Sequence, residues 1–209
     1  MSASVGRAVL RAAPWPTLLG GCVAAAALFG IAAALRHGAL AFPLSLLGLG
    51  LCGATAAYVL DEASAEVEDA TPTGRRARVA WRLPIALLPF AVGAAAVLML
   101  DDPGGAAGWD RLVPVAAASV ACGLGVASAL RRSGRLAPGD LASAIAFGLV
   151  FLAVAFEPLD AWVSLAPLES PSYPLATALA WALVLLSCAA VLAACERDPG
   201  RPANRKETV

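Results

Sequence analysis

Charge is scarce in this chain, and so is histidine. Only 14% of its 209 residues are Asp, Glu, Lys or Arg, against about 25% in a soluble domain. Meanwhile 60% are hydrophobic and the mean hydropathy is +0.77. That combination excludes a water-soluble fold, which could not hide so much apolar surface. His37 is the single histidine and falls in the turn Leu35-Arg36-His37-Gly38. A pair of axial haem ligands from this chain alone is therefore excluded, and a loop histidine is most simply a solvated one. There is no Ser/His/Asp set, no H-E-x-x-H, no phosphate-cradling glycine loop and no paired-Asp motif of the lipid phosphotransferase kind. An enzyme acting alone is not expected. Outer carboxylates such as Asp101, Asp102 and Asp110 would serve only an active site shared with another chain. The five cysteines, Cys22, Cys52, Cys122, Cys188 and Cys195, form no C-x-x-C pair and no Cys/His cluster. They read as small apolar packing residues, with no disulfide, metal site or bound cofactor expected, and nothing points to a nucleic acid.

What the chain has in quantity is apolar runs long enough to cross a hydrocarbon core of about 30 Å. They cover about residues 17–35, 39–60, 83–100, 112–130, 139–156 and 175–195. The prediction is an all-α integral membrane protein, a single transmembrane domain over 1–209 built as a bundle of about six helices. The run 139–156 is the weakest and the one open to a shallow or re-entrant course. No cleavable signal peptide is read, because the first run begins late and encloses Gly20-Gly21-Cys22. Of the 15 basic residues, Arg7, Arg11, Arg75, Arg76, Arg78, Arg82, Arg131, Arg132, Arg135, Arg197, Arg201, Arg205 and Lys206 fall on one face. Only Arg36 and Arg111 fall on the other, so the positive-inside bias puts both termini in the cytoplasm. Arg usage over Lys and the abundance of Ala point to a high-GC bacterium, hence its inner (cytoplasmic) membrane. No Asp, Glu, Lys or His is expected within the bilayer, which argues against a proton-coupled pump or ion exchanger.

Small residues form ridges suited to close helix approach. In the fourth run Ser119, Gly123 and Ala127 lie beside Ala121, Gly125 and Ala129, and in the second Gly50 and Ala54 lie beside Gly53 and Ala57. Such ridges serve equally for packing within one chain and for a dimer. The connection 61–82 is the most distinctive segment. Its first half carries Asp61, Glu62, Glu66, Glu68 and Asp69, with Ala63, Val67 and Ala70 as an adjacent apolar stripe. After the breaker Thr71-Pro72-Thr73-Gly74 come Arg75, Arg76 and Arg78, with Arg75, Arg78 and Arg82 on one helical face and Trp81 at headgroup level. Two explanations stand: a solvated loop whose arginines set topology, or a docking element offering acids and small apolar groups to a soluble partner, since an anionic leaflet repels carboxylates. On the outer face, 157–174 contains prolines, with Trp162 and Tyr173 as anchors. It reads as a plain extracellular loop or an interface-lying piece.

The run Leu60-Asp61-Glu62-Ala63 through Ala70-Thr71-Pro72-Thr73, followed by Arg75-Arg76-Ala77-Arg78, resembles the segment after the second span in small permease subunits of actinobacterial ABC transporters. The layout also resembles the ABC-2 exporter type. The resemblance implies a permease subunit that leaves ATP to a separate cytoplasmic ATPase. Coupling would run through 61–82, with Asp61, Glu62, Glu66, Val67, Asp69, Arg75, Arg76 and Arg78 as contact residues. It further implies a second permease copy or paralogue within the membrane lipid. A pathway lined by Ala, Leu, Val and Gly would suit a hydrophobic or amphipathic substrate. A noncatalytic membrane scaffold or assembly subunit is the competing class.

Overall fold

The computed structural model describes residues 11–35, 40–61, 80, 82–100, 113–133 and 138–155, with isolated positions between 182 and 193. Among the described residues every regular element is helical and no strand occurs. In chain order these are α1 (Trp15–Ala34), α2 (Ala41–Ala57) with a 3-10 turn (Tyr58–Leu60), a second 3-10 turn (Leu83–Ala86) leading into α3 (Leu87–Leu100), α4 (Val113–Arg132) and α5 (Gly139–Ala155). Trp15–Ala34, Ala41–Leu60, Leu83–Leu100 and Val113–Arg132 are each long and apolar enough to cross a membrane. That is the length and composition of a multi-pass helical membrane protein. α5 has 17 residues, short of the about 20 that a full crossing takes. Residues 62–79 and 157–174 lie outside the described residues, as does the run 175–195 apart from those isolated positions.

Proline marks where each helix begins. Pro16, Pro43 and Pro114 sit in the first turns of α1, α2 and α4, Pro84 opens the turn before α3, and Pro138 directly precedes α5. At such positions the missing N–H would have had no helical partner. Outward side chains are apolar too: Val23 is 69% and Met99 85% exposed, alongside Leu19, Leu87, Leu98 and Leu152. An outer surface of this kind is stable against lipid and not against water.

α2 is the central helix. It packs against α1, α3, α4 and α5, and 67% of its apolar window is buried against 28% for α1. Small residues permit this crowding. A Cβ on Gly53 would come within 2.6 Å of the Ser119 carbonyl oxygen, and one on Gly123 would overlap the Gly53 carbonyl oxygen. The α2 and α4 backbones therefore touch, and the dispersion gained by that approach substitutes for the hydrophobic drive that lipid does not supply. Gly48 accepts the Phe29 ring of α1, and Gly50 the Phe147 ring of α5. Buried hydroxyls are satisfied inside their own helices: Ser45 Oγ donates to Ala41 O at 2.8 Å, Thr55 Oγ1 to Leu51 O at 2.7 Å and Ser119 Oγ to Val115 O at 2.8 Å. Another face of α4 meets the carboxyl-terminal part of the chain, where a Cβ on Gly125 would lie 3.6 Å from Cys188 O. Cys122 and Cys188 are within thiol hydrogen-bond reach there, and both are free.

Gly53→Ala is expected to lower the stability of the detergent-solubilised protein by about 1–3 kcal/mol through overpacking. Gly148 has nothing within 4 Å, so Gly148→Ala should be neutral or stabilising by up to about 1 kcal/mol. Thermal unfolding followed by size exclusion measures both.

Candidate functional site

The polar groups of the described bundle converge where α2 and α4 end and where α3 and α5 begin. α2 tightens into the 3-10 turn Tyr58–Leu60, and Asp61 N–H bonds back to Tyr58 O at 3.0 Å. Asp61 then leaves with φ −74 and ψ 133, an extended conformation. The final carbonyls of a helix have no partner within it, and here the partners come from two other elements. Arg82 Nη1 donates to Asp61 O at 2.7 Å, and Arg131 Nη1 to Leu60 O at 3.4 Å. Both arginines are buried, Arg82 at 1% exposure and Arg131 at 8%. A cation at a helix carboxyl end meets the negative end of the helix dipole, which offsets part of the penalty for burying it.

The opposite sign is met at the start of α5. The Asp61 carboxylate accepts from the Gly139 backbone N–H, so a side chain from α2 caps the amino end of α5. A Cβ on Gly139 would stand 2.6 Å from Asp61 Oδ2 and 2.6 Å from the Tyr58 ring, so only glycine allows the approach. At the exposed rim Tyr58 OH donates to Asp140 Oδ1 at 2.8 Å. Ser143 Oγ donates to Asp140 O at 2.8 Å and lies 3.4 Å from the Tyr58 oxygen. The Asp61 carboxyl is raised from its ordinary value. Burial is the main cause and the nearby Asp140 charge adds to it, against the Gly139 N–H and the Arg82 and Arg131 charges, which pull down. Its Oδ1 is buried without a hydrogen-bond partner among the described residues.

This geometry revises three sequence expectations. Arg82, expected on one helical face with Arg75 and Arg78, is buried and donates to the Asp61 carbonyl, while Arg75 and Arg78 lie outside the described residues. Arg131, expected in the connection after the run 112–130, lies in the last turn of α4 and is buried. An acid does occur within a predicted apolar run, since Asp140 is the second residue of α5. Of the predicted coupling residues Asp61 lies in the junction, while Glu62, Glu66, Val67, Asp69, Arg75, Arg76 and Arg78 lie outside the described residues. Ser119 and Gly123 face α2, Ala127 is fully buried and Gly125 meets Cys188. Tyr58, Gly139 and Ser143 were not singled out by sequence. The one available signal was Pro138-Gly139 at a helix start, where Ser, Thr, Asp or Asn is the commoner cap.

No family model, curated protein or solved structure matches the chain.

Among the described residues no group of three His, Cys, Asp or Glu side chains could hold a metal ion. The junction ties four helix ends together and fixes the two points at which the connection 62–79 leaves and rejoins the bundle. An apolar cleft of about 270 Å³ is lined by Leu83, Leu87 and Phe90 against Val120 and Leu124.

Arg82→Met should destabilise the protein by about 3 kcal/mol or more, since it orphans a buried carbonyl and leaves Asp61 with less compensating charge. Tyr58→Phe, at the solvated rim, should cost only about 1 kcal/mol. Denaturant titration in micelles separates the two.

Proposed function

We propose that the chain is the membrane-spanning permease subunit of an ABC-type transporter, with about six spans and both termini on the cytoplasmic side of a bacterial inner membrane. A separate cytoplasmic ATPase binds and hydrolyses nucleotide and acts on the connection between Asp61 and Arg82. A second permease copy or paralogue completes the path for a hydrophobic or amphipathic substrate. The observation that carries this reading is the anchoring of both stems of that connection at one point. Arg82 bonds the Asp61 carbonyl at 2.7 Å, while Arg131 and the Gly139 N–H tie the same point to α4 and α5. A force applied to such a connection reaches several helices together, as coupling to an external motor requires.

A second reading, a noncatalytic scaffold of a membrane complex, is favoured by the interlocked contact of α2 with α4 through Gly53 and Gly123. Backbone-to-backbone packing of this kind suits a rigid support. One experiment separates them. Purified in mild detergent from its native membrane, the permease carries a stoichiometric soluble ATPase. Reversing Glu66 and Asp69 to lysine abolishes that association and the transport it drives, while membrane insertion is preserved. A complex without an ATPase overturns the permease reading and promotes the scaffold.

A further inference from the structure

Two of the described cysteines meet across a helix contact. Cys122 and Gly125 are three residues apart on one face of α4, and the helical residue Cys188 lies against that face. A Cβ added at Gly125 would stand 3.6 Å from Cys188 O and 3.7 Å from its Cα and Cβ, so the missing side chain is what lets the Cys188 backbone approach α4. One turn away the Cys122 and Cys188 thiols are within hydrogen-bond reach of each other, and both are free. Neither is sealed in. Both are half-buried, whereas Cys22 and Cys52 are only 7% and 1% exposed within the bundle. A single buried thiol is a packing residue; two facing thiols on separate elements are also the two halves of a cystine. Their depth decides which redox partners reach them. Cys122 is the tenth of the 20 residues of α4, about 14 Å from its nearer end. The thiol reductants that keep cytoplasmic cysteines reduced are dissolved in water, and so far inside an apolar span the redox partners at hand are those dissolved in hydrocarbon.

We propose that Cys122 and Cys188 form a disulfide that fastens the Cys188 stretch to α4, with a membrane-dissolved quinone as the oxidant. Two S–H bonds break and one S–S bond forms. The two electrons and two protons released pass to the quinone, which leaves as the hydroquinone. Thiols, disulfide, quinone and hydroquinone are all neutral, so the completed step leaves no charge in the hydrocarbon, where charge is costly. In the dithiol form the contact at Gly125 is held by packing alone, and the Cys188 stretch is free to part from α4. In the disulfide form it is tied there, across a length of chain that includes α5.

The test uses the full-length protein in lipid nanodiscs, reduced and then exposed without air to a fully substituted benzoquinone carrying a short alkyl tail. Such a probe has no open ring position for thiol addition, so thiols are consumed only by oxidation. Acid quenching, denaturation and alkylation follow, and peptide mass spectrometry reads each cysteine. Label on Cys122 and Cys188 should fall together by about tenfold, with a cross-linked peptide joining them and about one hydroquinone formed per chain, while Cys22 and Cys52 keep their label. Cys122→Ala should restore full label on Cys188. Full label on both cysteines of the wild type, or a cross-link joining any other pair, would overturn the proposal without recourse to the variant.

Discussion

Where α2 stops, the carbonyl oxygens of Leu60 and Asp61 have no following helical turn to bond them and sit among buried side chains. Donors must therefore come from elsewhere in the bundle. Arg131 and Arg82 supply them, and much of the surrounding architecture follows. Burying two guanidinium groups calls for a compensating carboxylate, and Asp61 is near enough for both charges to act on it. A carboxylate so placed attracts the amino end of a helix, and α5 begins there, on a glycine. Each step answers a polar requirement left by the one before, and the last leaves one oxygen of Asp61 without a partner among the described residues.

Deeper in the bundle the constraint is steric. The described helices are apolar on their outward faces, so lipid competes on equal terms for their side chains and close backbone approach is what favours association. Glycines on α2 place it against α1, α4 and α5, and the hydroxyls of Ser45, Thr55 and Ser119 fold back onto their own helices. Close backbone contact thus holds the middle of the bundle, and hydrogen bonds from buried arginines hold its polar end.

Much of the helical layout was legible in the sequence because length and hydropathy alone specify it. The expected runs 39–60 and 83–100 agree with Ala41–Leu60 and Leu83–Leu100 to within two residues. The small residues Gly53, Ser119 and Gly123 were visible for the same reason, since their spacing is periodic. The junction was not. Arg82 and Arg131 look in sequence like any other arginines flanking a span, and the positive-inside bias explains them without structure. Their burial depends on which carbonyls end up nearby, a long-range outcome of how α2, α4 and α5 cross. Asp140 was hidden by the hydrophobicity of the run that follows it.

The central claim is that Asp61 of the α2 terminus sits directly against the first residue of α5. Gly139→Ala tests this most directly, read as thermal unfolding of the detergent-solubilised full-length protein beside Gly148→Ala, a helical glycine with nothing within 4 Å of an added Cβ. A loss of about 1–3 kcal/mol in Gly139→Ala alone is predicted, since its Cβ would meet Asp61 Oδ2 and the Tyr58 ring. Equal stability of the two variants would contradict the account.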